Sequence, residues 1–142
     1  MYTHKAYSLA KKAHEGQFRR DGTTPYFSHP VAVAEQFMRC YPNEEHRLLV
    51  AIALLHDVLE DNKEYKPHHF REIGIPEKAI EAVVLLTRSD EPGEDYLSYL
   101  LRLKDNELAR KVKIEDIKHN LQTSSGNQKE KYLLALYILG EK

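Results

Sequence analysis

Residues 43–61 read NEEHRLLVAIALLHDVLED. Leu48, Leu49, Ile52 and Leu55 recur at helical steps, and Asn43 offers a side-chain oxygen to cap the start, so the spacing predicts a helix from Asn43 to about Asp61. It is the most apolar helix of the middle of the chain, which makes it a candidate core element. Its end is unusual. His56, Asp57, Glu60 and Asp61 interrupt the apolar run, and on a continuous helix His56 stacks on Glu60 and Asp57 on Asp61, giving one patch with three carboxylates. The helix macrodipole places negative charge at this same end, and carboxylates one turn apart repel, each effect costing a few tenths to about 1 kcal/mol. A bound cation reverses both. A solvated helix end with His56 in a capping role is the plainer alternative, but it does not explain acids set inside an apolar helix, where an unpaired charge costs several kcal/mol.

The same helical spacing recurs along most of the sequence, and no stretch shows the strict alternation of a half-buried strand. The fold class is all-α, a compact multi-helix bundle forming one domain over residues 1–142. Thr3 caps a first helix to about Glu15, with Ala6, Leu9, Ala10 and Ala13 inward. Residues 16–28 read as a loop, rich in Gly, Pro and charge. Pro30 opens a second helix to about Cys40, with Val31, Ala34, Phe37 and Met38 inward and His29 at its N-terminal edge. A short helix or turn surrounds Phe70, Pro76 opens a helix through Leu86, and Tyr96 to Leu103 is amphipathic. Asn106 caps a helix to about Leu121, and Asn127 opens a last one, with Tyr132, Leu133, Leu136 and Leu139 inward and Gly140 as its stop.

Two further groups bear on the acidic patch. Lys113, Asp116 and Asn120 fall at i, i+3 and i+7 beside the stripe of Leu108, Val112, Ile117 and Leu121, so this polar trio borders the interior. His29, His56, Asp57 and Asp116 together form a mixed imidazole and carboxylate shell that suits Mn²⁺, Fe²⁺, Zn²⁺ or Ni²⁺ and not Ca²⁺, whose ligands are oxygens. The loop GQFRRDGTTPY presents Arg19 and Arg20, whose guanidinium groups suit bidentate phosphate contacts. The other histidines, including His119, read as surface residues or supports behind the ligands, with His14 nearest the pocket.

Composition narrows the partners. Basic and acidic residues number 21 and 22, so any phosphate recognition is local and neither a nucleic-acid nor a membrane-surface partner is expected. The lone Cys40 forms no internal disulfide, the N-terminal MYTHKAYSLAKKAHEG has no signal-peptide core, and no apolar run approaches the ~20 residues of a membrane span, so a reducing cytoplasm is the expected compartment. The oligomeric state is open.

The segments AHEGQFRR, PYFSHPVAVA, ALLHDVLEDN, LTRSD, EDYLSYLLRLK and KVKIEDIKHNL, taken in this order, resemble the hydrolase domain of the RelA/SpoT family, and especially its small stand-alone alarmone hydrolases. The resemblance implies an HD-domain helical fold and a single Mn²⁺. It also implies hydrolysis of the 3′-pyrophosphate of guanosine tetra- or pentaphosphate to GDP or GTP plus pyrophosphate. The family's metal ligands fall on His29, His56, Asp57 and Asp116, its catalytic acidic pair on Glu60 and Asp61, its pocket asparagine on Asn120, and its phosphate-binding basic residue on Arg19 or Arg20. Lys113 is a further candidate to offset phosphate charge. Two positions depart from the pattern: Ile117 stands where arginine is usual in the larger members, and Asn62 where threonine is common. The length leaves no room for the synthetase and regulatory domains of bifunctional relatives, so the expectation is degradation without synthesis. Hydrolysis of another phosphorylated nucleotide, such as a nucleoside monophosphate or NADPH, and nucleotide sensing without turnover are the alternatives.

Overall fold

The computed structural model describes residues 2–39, 43–88 and 94–140. Among these residues the regular elements are helices: α1 (Tyr2–Ala13), α2 (Ser28–Met38), α3 (Glu44–Leu55), α4 (Val58–Asp61), α5 (Pro67–Glu72), α6 (Glu77–Leu86), α7 (Tyr96–Lys104), α8 (Glu107–Leu121) and α9 (Gly126–Ile138). The only extended pairing among them is an isolated antiparallel bridge between Phe18 and Pro25. The all-α expectation therefore holds. None of these helices is long and apolar enough to cross a membrane.

Helix starts follow local chemistry. Asn43, Asp95 and Asn106 are extended at their Ncap positions, and each side chain accepts the N–H three residues on, from His46, Ser98 and Ala109. Helix α3 is the axis of the molecule: Leu48, Leu49, Ala51, Ile52, Ala53, Leu54 and Leu55 are all buried, and α1, α2, α6 and α8 pack around it. Alanines at 6, 10 and 13 let α1 approach closely, while Phe70 of α5 is fully buried and pins that short helix to the same core.

Several sequence expectations are corrected. The central helix does not continue to Asp61; it stops at Leu55, and a separate turn, α4, starts at Val58. The cause is local. Nδ1 of His56 bonds the Ala53 carbonyl, the acceptor that the Asp57 N–H would use in a continued helix, and Asp57 takes up φ −104°, ψ −3°. Met38, expected inward, is 63% exposed, and in α9 Leu133 is 51% exposed while Ala135 takes the buried position beside Leu139. Helix α1 ends at Ala13, two residues short, because the chain turns into Gly16 at φ +81°. Cys40, the expected end of the second helix, and Ser89 and Asp90 of the LTRSD segment lie outside the described residues.

Candidate metal centre

The break after Leu55 sets the site. It leaves His56 and Asp57 at the C-terminal end of α3, turned inward, and there α2 contributes His29 and α8 contributes Asp116. His29, His56 and Asp116 are buried and Asp57 nearly so, and one ligand atom from each of the four lies within 4.8 Å of all the others. His29 Nε2 stands 2.6 Å from Asp116 Oδ1 and 3.8 Å from Asp57 Oδ2, and His56 Nε2 stands 3.2 Å and 3.1 Å from the same two oxygens. Two neutral-capable imidazoles and two carboxylates converging on one point are a donor set for a divalent transition metal, whose bonds to such donors run about 2.0–2.2 Å. The residues present fit such an ion.

Electrostatics at the site follow from burial and pairing. Burial pushes Asp116 up, but Lys113, His56 and a hydrogen bond with His29 outweigh it and hold the carboxyl well below its usual range. For Asp57 the burial penalty is likewise overcome, by the charge of His56 and its hydrogen bond. Burial pushes His56 down, yet the two carboxylates raise it well above an ordinary histidine. Lys113, with its ammonium 2.9 Å from Asp116 Oδ2, is the fixed cation that makes a buried Asp116 tolerable.

Each of these side chains has a second partner. His56 donates Nδ1–H to the Ala53 carbonyl, Tyr26 donates its hydroxyl to Asp57 Oδ2 at 2.6 Å, and His29 Nδ1 meets His119 Nδ1 at 2.7 Å. Asn120 Nδ2 donates to Asp116 Oδ1 at 3.4 Å and, through Oδ1, accepts from Arg19 at 3.3 Å. Burial of its ring first, then the Asp57 charge, pushes the Tyr26 hydroxyl far up, so it stays a donor. Burial, then His29 and Arg19, lowers His119. His14 packs against the Tyr26 ring with centroids 5.0 Å apart and bonds Gln17 through Nδ1, while its buried Nε2 has no partner.

Glu60 and Asp61 do not stack on His56 and Asp57 along one continuous helix. They belong to the separate turn α4, still adjacent to the centre: Glu60 Oε1 accepts the Arg88 backbone N–H at 2.6 Å, and Asp61 reaches solvent. Burial and the nearby Asp57 raise Glu60. Partial burial of the carboxyl, then Asp57 and Glu60, push Asp61 up to about 7, although the residue as a whole is exposed. A carboxyl titrating near neutrality can both accept and return a proton.

A cleft of about 740 Å³ opens beside the centre, lined by Arg19, Arg20, Tyr26, His119, Asn120 and Tyr132 among others. Its inner wall is made of Tyr26, His119 and Asn120, each one hydrogen bond from a member of the metal cluster. The arginine loop is an ordered turn. Asp21 accepts the Thr24 hydroxyl and the N–H groups of Thr24 and Thr23, bonds that hold its carboxyl down at about 2, and the Arg19 N–H reaches the Thr24 carbonyl at 2.8 Å. Arg19 is thereby set over the Tyr26 ring and against Asn120, while Arg20 lines the same cleft. Three cations gather at the Tyr96 ring: Lys131 Nζ at 4.1 Å, Arg88 at 5.3 Å and Lys113 at 6.0 Å. A larger groove of about 820 Å³, bordered by Tyr7, Phe37, Met38 and Val50, shares no residue with the metal cluster and presents mainly apolar walls.

The sequence reading selected the four clustered residues, and the structure brings them together. Nothing in the sequence singles out Tyr26, Arg88 or Lys131, and His119 reads there only as a surface residue or a support behind the ligands. Separations such as 31 residues from Tyr26 to Asp57 and 90 from His29 to His119 leave no periodic trace. The two departures are structurally coherent: Ile117 is fully buried in the core, and Asn62 donates to the Ala13 carbonyl at 3.0 Å, fastening α4 to the end of α1.

A helical bundle whose central helix ends in an inward His-Asp pair, completed by a histidine and an aspartate from two other helices, is an HD-type domain with a cluster that could hold a divalent metal. No family model matches the chain. It is 32% identical over 122 residues to the guanosine-3′,5′-bis(diphosphate) 3′-pyrophosphohydrolase of Haemophilus influenzae, a match covering 81% of this chain and 17% of that protein. It is also 32% identical over 137 residues to the GTP pyrophosphokinase rsh of Brucella melitensis, covering 91% of this chain and 18% of the relative. A shorter match, 50% identical over 60 residues, joins 40% of the chain to 8% of the bifunctional (p)ppGpp synthase/hydrolase SpoT of Escherichia coli. The chain thus spans under a fifth of the length of these relatives. Among solved structures, a metazoan ortholog of SpoT described as hydrolysing ppGpp superposes with a TM-score of 0.71 at 19% identity, over 97% of this chain and 83% of that one. The chain resembles the RelA/SpoT hydrolase HD domain in sequence, and it shares the fold of the SpoT ortholog.

Proposed function

We propose that the chain is a metal-dependent phosphohydrolase that removes the 3′-pyrophosphate of guanosine tetra- or pentaphosphate, giving GDP or GTP and pyrophosphate. The observation that carries this reading is a preformed His-His-Asp-Asp cluster whose own hydrogen-bond partners form the inner wall of a cleft lined by Arg19 and Arg20. The names of the relatives supply the substrate, since cluster and cleft by themselves define only a metal-assisted reaction on an anionic ligand.

His29, His56, Asp57 and Asp116 would hold the ion, with Mn²⁺ the identity favoured here. Such a cation supplies a Lewis acid that polarises a phosphoryl oxygen and acidifies water near neutral pH. The remaining work falls to the protein. Water attacks phosphorus, the P–O3′ bond breaks, and the 3′ oxygen receives a proton. Glu60 and Asp61, one turn beyond the His-Asp pair and both raised in pKa, orient the water and carry that proton, a role contributing roughly 10²- to 10⁴-fold. Arg19 is held by Asn120 in a fixed position for a phosphate, Arg20 stands beside it, and Arg88, Lys113 and Lys131 extend the positive charge past Tyr96, as a substrate with two polyphosphate groups requires.

The test is turnover of a nucleotide panel by the Mn²⁺-loaded protein, comparing guanosine tetraphosphate with guanosine monophosphate and NADPH, with Glu60→Ala and Asp61→Ala alongside. Release of pyrophosphate from the tetraphosphate, lowered at least about 10²-fold in each variant, is the expected result. Preference for another nucleotide would refute the substrate, and undiminished turnover in both variants would refute the acidic pair.

A further inference from the structure

We infer that His119 is a positioning residue for the metal centre: once an ion replaces the hydrogen bond between His29 Nε2 and Asp116, Nδ1 of His119 accepts the Nδ1–H of His29 and thereby keeps the Nε2 lone pair of His29 directed at the ion. The inference rests on the reading of His29 as a ligand and assigns to a residue outside the four ligands the task of orienting it.

A neutral imidazole has one N–H and one lone pair, so a histidine that ligates through Nε2 carries its proton on Nδ1. For a buried ring that N–H needs an acceptor within the protein, and outer partners of this kind fix both the tautomer and the ring plane. The two histidines of the cluster meet the requirement differently. His56 gives its Nδ1–H to the Ala53 carbonyl, a main-chain acceptor that no substitution removes. His29, 1% exposed, has its Nε2 on the cluster side, 2.6 Å from Asp116 Oδ1, and its Nδ1 on the opposite edge, 2.7 Å from Nδ1 of His119. The two rings are tilted by 31° with centroids 4.9 Å apart, so His119 meets His29 both edge-on through nitrogen and by ring packing.

The helix places this acceptor. His119 follows Asp116 by three residues and precedes Asn120 on α8, so the helix that carries one ligand also carries the support for another. The opposite polarity, with His119 donating, would put the proton of His29 on Nε2 and leave no lone pair for a cation. Only one direction of the hydrogen bond is compatible with the ligand role.

The experiment separates this task from packing. His119→Phe preserves a flat ring beside His29 and removes the acceptor, whereas His119→Gln restores an acceptor on a different side chain. Mn²⁺ is titrated calorimetrically into metal-stripped wild-type protein and both variants, with thermal unfolding of the metal-free forms recorded in parallel. The expected result is a roughly 10- to 100-fold weaker Mn²⁺ affinity in His119→Phe, recovered to within about threefold of wild type in His119→Gln, with all three metal-free proteins folded and melting cooperatively at the titration temperature. Wild-type affinity in His119→Phe, or equal weakening in both variants, would overturn the inference while leaving the metal centre in place. A wild-type chain that takes up no Mn²⁺ would instead overturn the metal reading itself.

Discussion

Replacing Lys113 by Met tests how the buried Asp116 is tolerated. The substitution keeps the length of the stem and deletes the ammonium, which lies 2.9 Å from Asp116 Oδ2 with only 13% of the lysine side chain and 6% of the aspartate side chain exposed. Removing one partner of a buried ion pair ordinarily costs 3–5 kcal/mol, about as much as leaving a carboxylate uncompensated in the interior. Here the other oxygen keeps His29 at 2.6 Å and His56 at 3.2 Å, and the methionine refills the space beside Tyr99, so the expected loss is smaller, about 2 kcal/mol. For a chain of this size that corresponds to a fall in Tm of roughly 6–8 °C. The assay is urea unfolding of the metal-free protein followed by helical circular dichroism, carried through a double-mutant cycle with Asp116→Asn. A coupling energy above about 1 kcal/mol is expected. A Lys113→Met protein within 0.5 kcal/mol of wild type, or a coupling near zero, would refute the claim that Lys113 is what makes Asp116 tolerable.

Three further outcomes follow from the same geometry. Mn²⁺ at about 100 times its dissociation constant should stabilise the fold by about 2.7 kcal/mol, seen as a raised Tm that vanishes in Asp116→Ala; a chain whose melting ignores Mn²⁺ would contradict the cluster's role. Asp61 titrates near 7 in the folded chain and near 3.8 when unfolded, so its raised pKa favours folding at low pH, and that contribution is lost as pH rises from about 4 through 7. Since the residue is solvent-exposed, the amplitude should be at most about 1 kcal/mol in metal-free protein, and an Asp61→Asn variant with the same pH profile as wild type would remove the argument. Tyr26→Phe deletes the hydroxyl that donates to Asp57 Oδ2 and should weaken Mn²⁺ binding by roughly 10-fold in equilibrium dialysis, whereas unchanged affinity would make that hydrogen bond incidental.

Much of this could be read from local pattern. The helix period, the Asn43 and Asn106 caps and the presence of acids inside an apolar helix are short-range signals, and they led to the all-α class and to four residues that do converge. What failed was also local in origin. A helical repeat continues on paper through His56, but the imidazole takes the carbonyl that the next turn needs, so Glu60 and Asp61 belong to a second helical turn. Met38 and Leu133 satisfy the period of an inward stripe yet lie on the outer side, because a short helix rotated slightly still matches the same spacing. Tyr26, Arg88 and Lys131 could not be placed at all: they meet the site through packing of segments far apart in sequence.

Metal-dependent hydrolysis is tested most directly by following pyrophosphate release from guanosine tetraphosphate with metal-stripped protein, before and after one equivalent of Mn²⁺, with Asp57→Ala alongside. The expected result is no release without metal, release of GDP and pyrophosphate once Mn²⁺ is added, and none in Asp57→Ala at any Mn²⁺ concentration. Release that persists in fully stripped protein, or in Asp57→Ala at the wild-type rate, would contradict it.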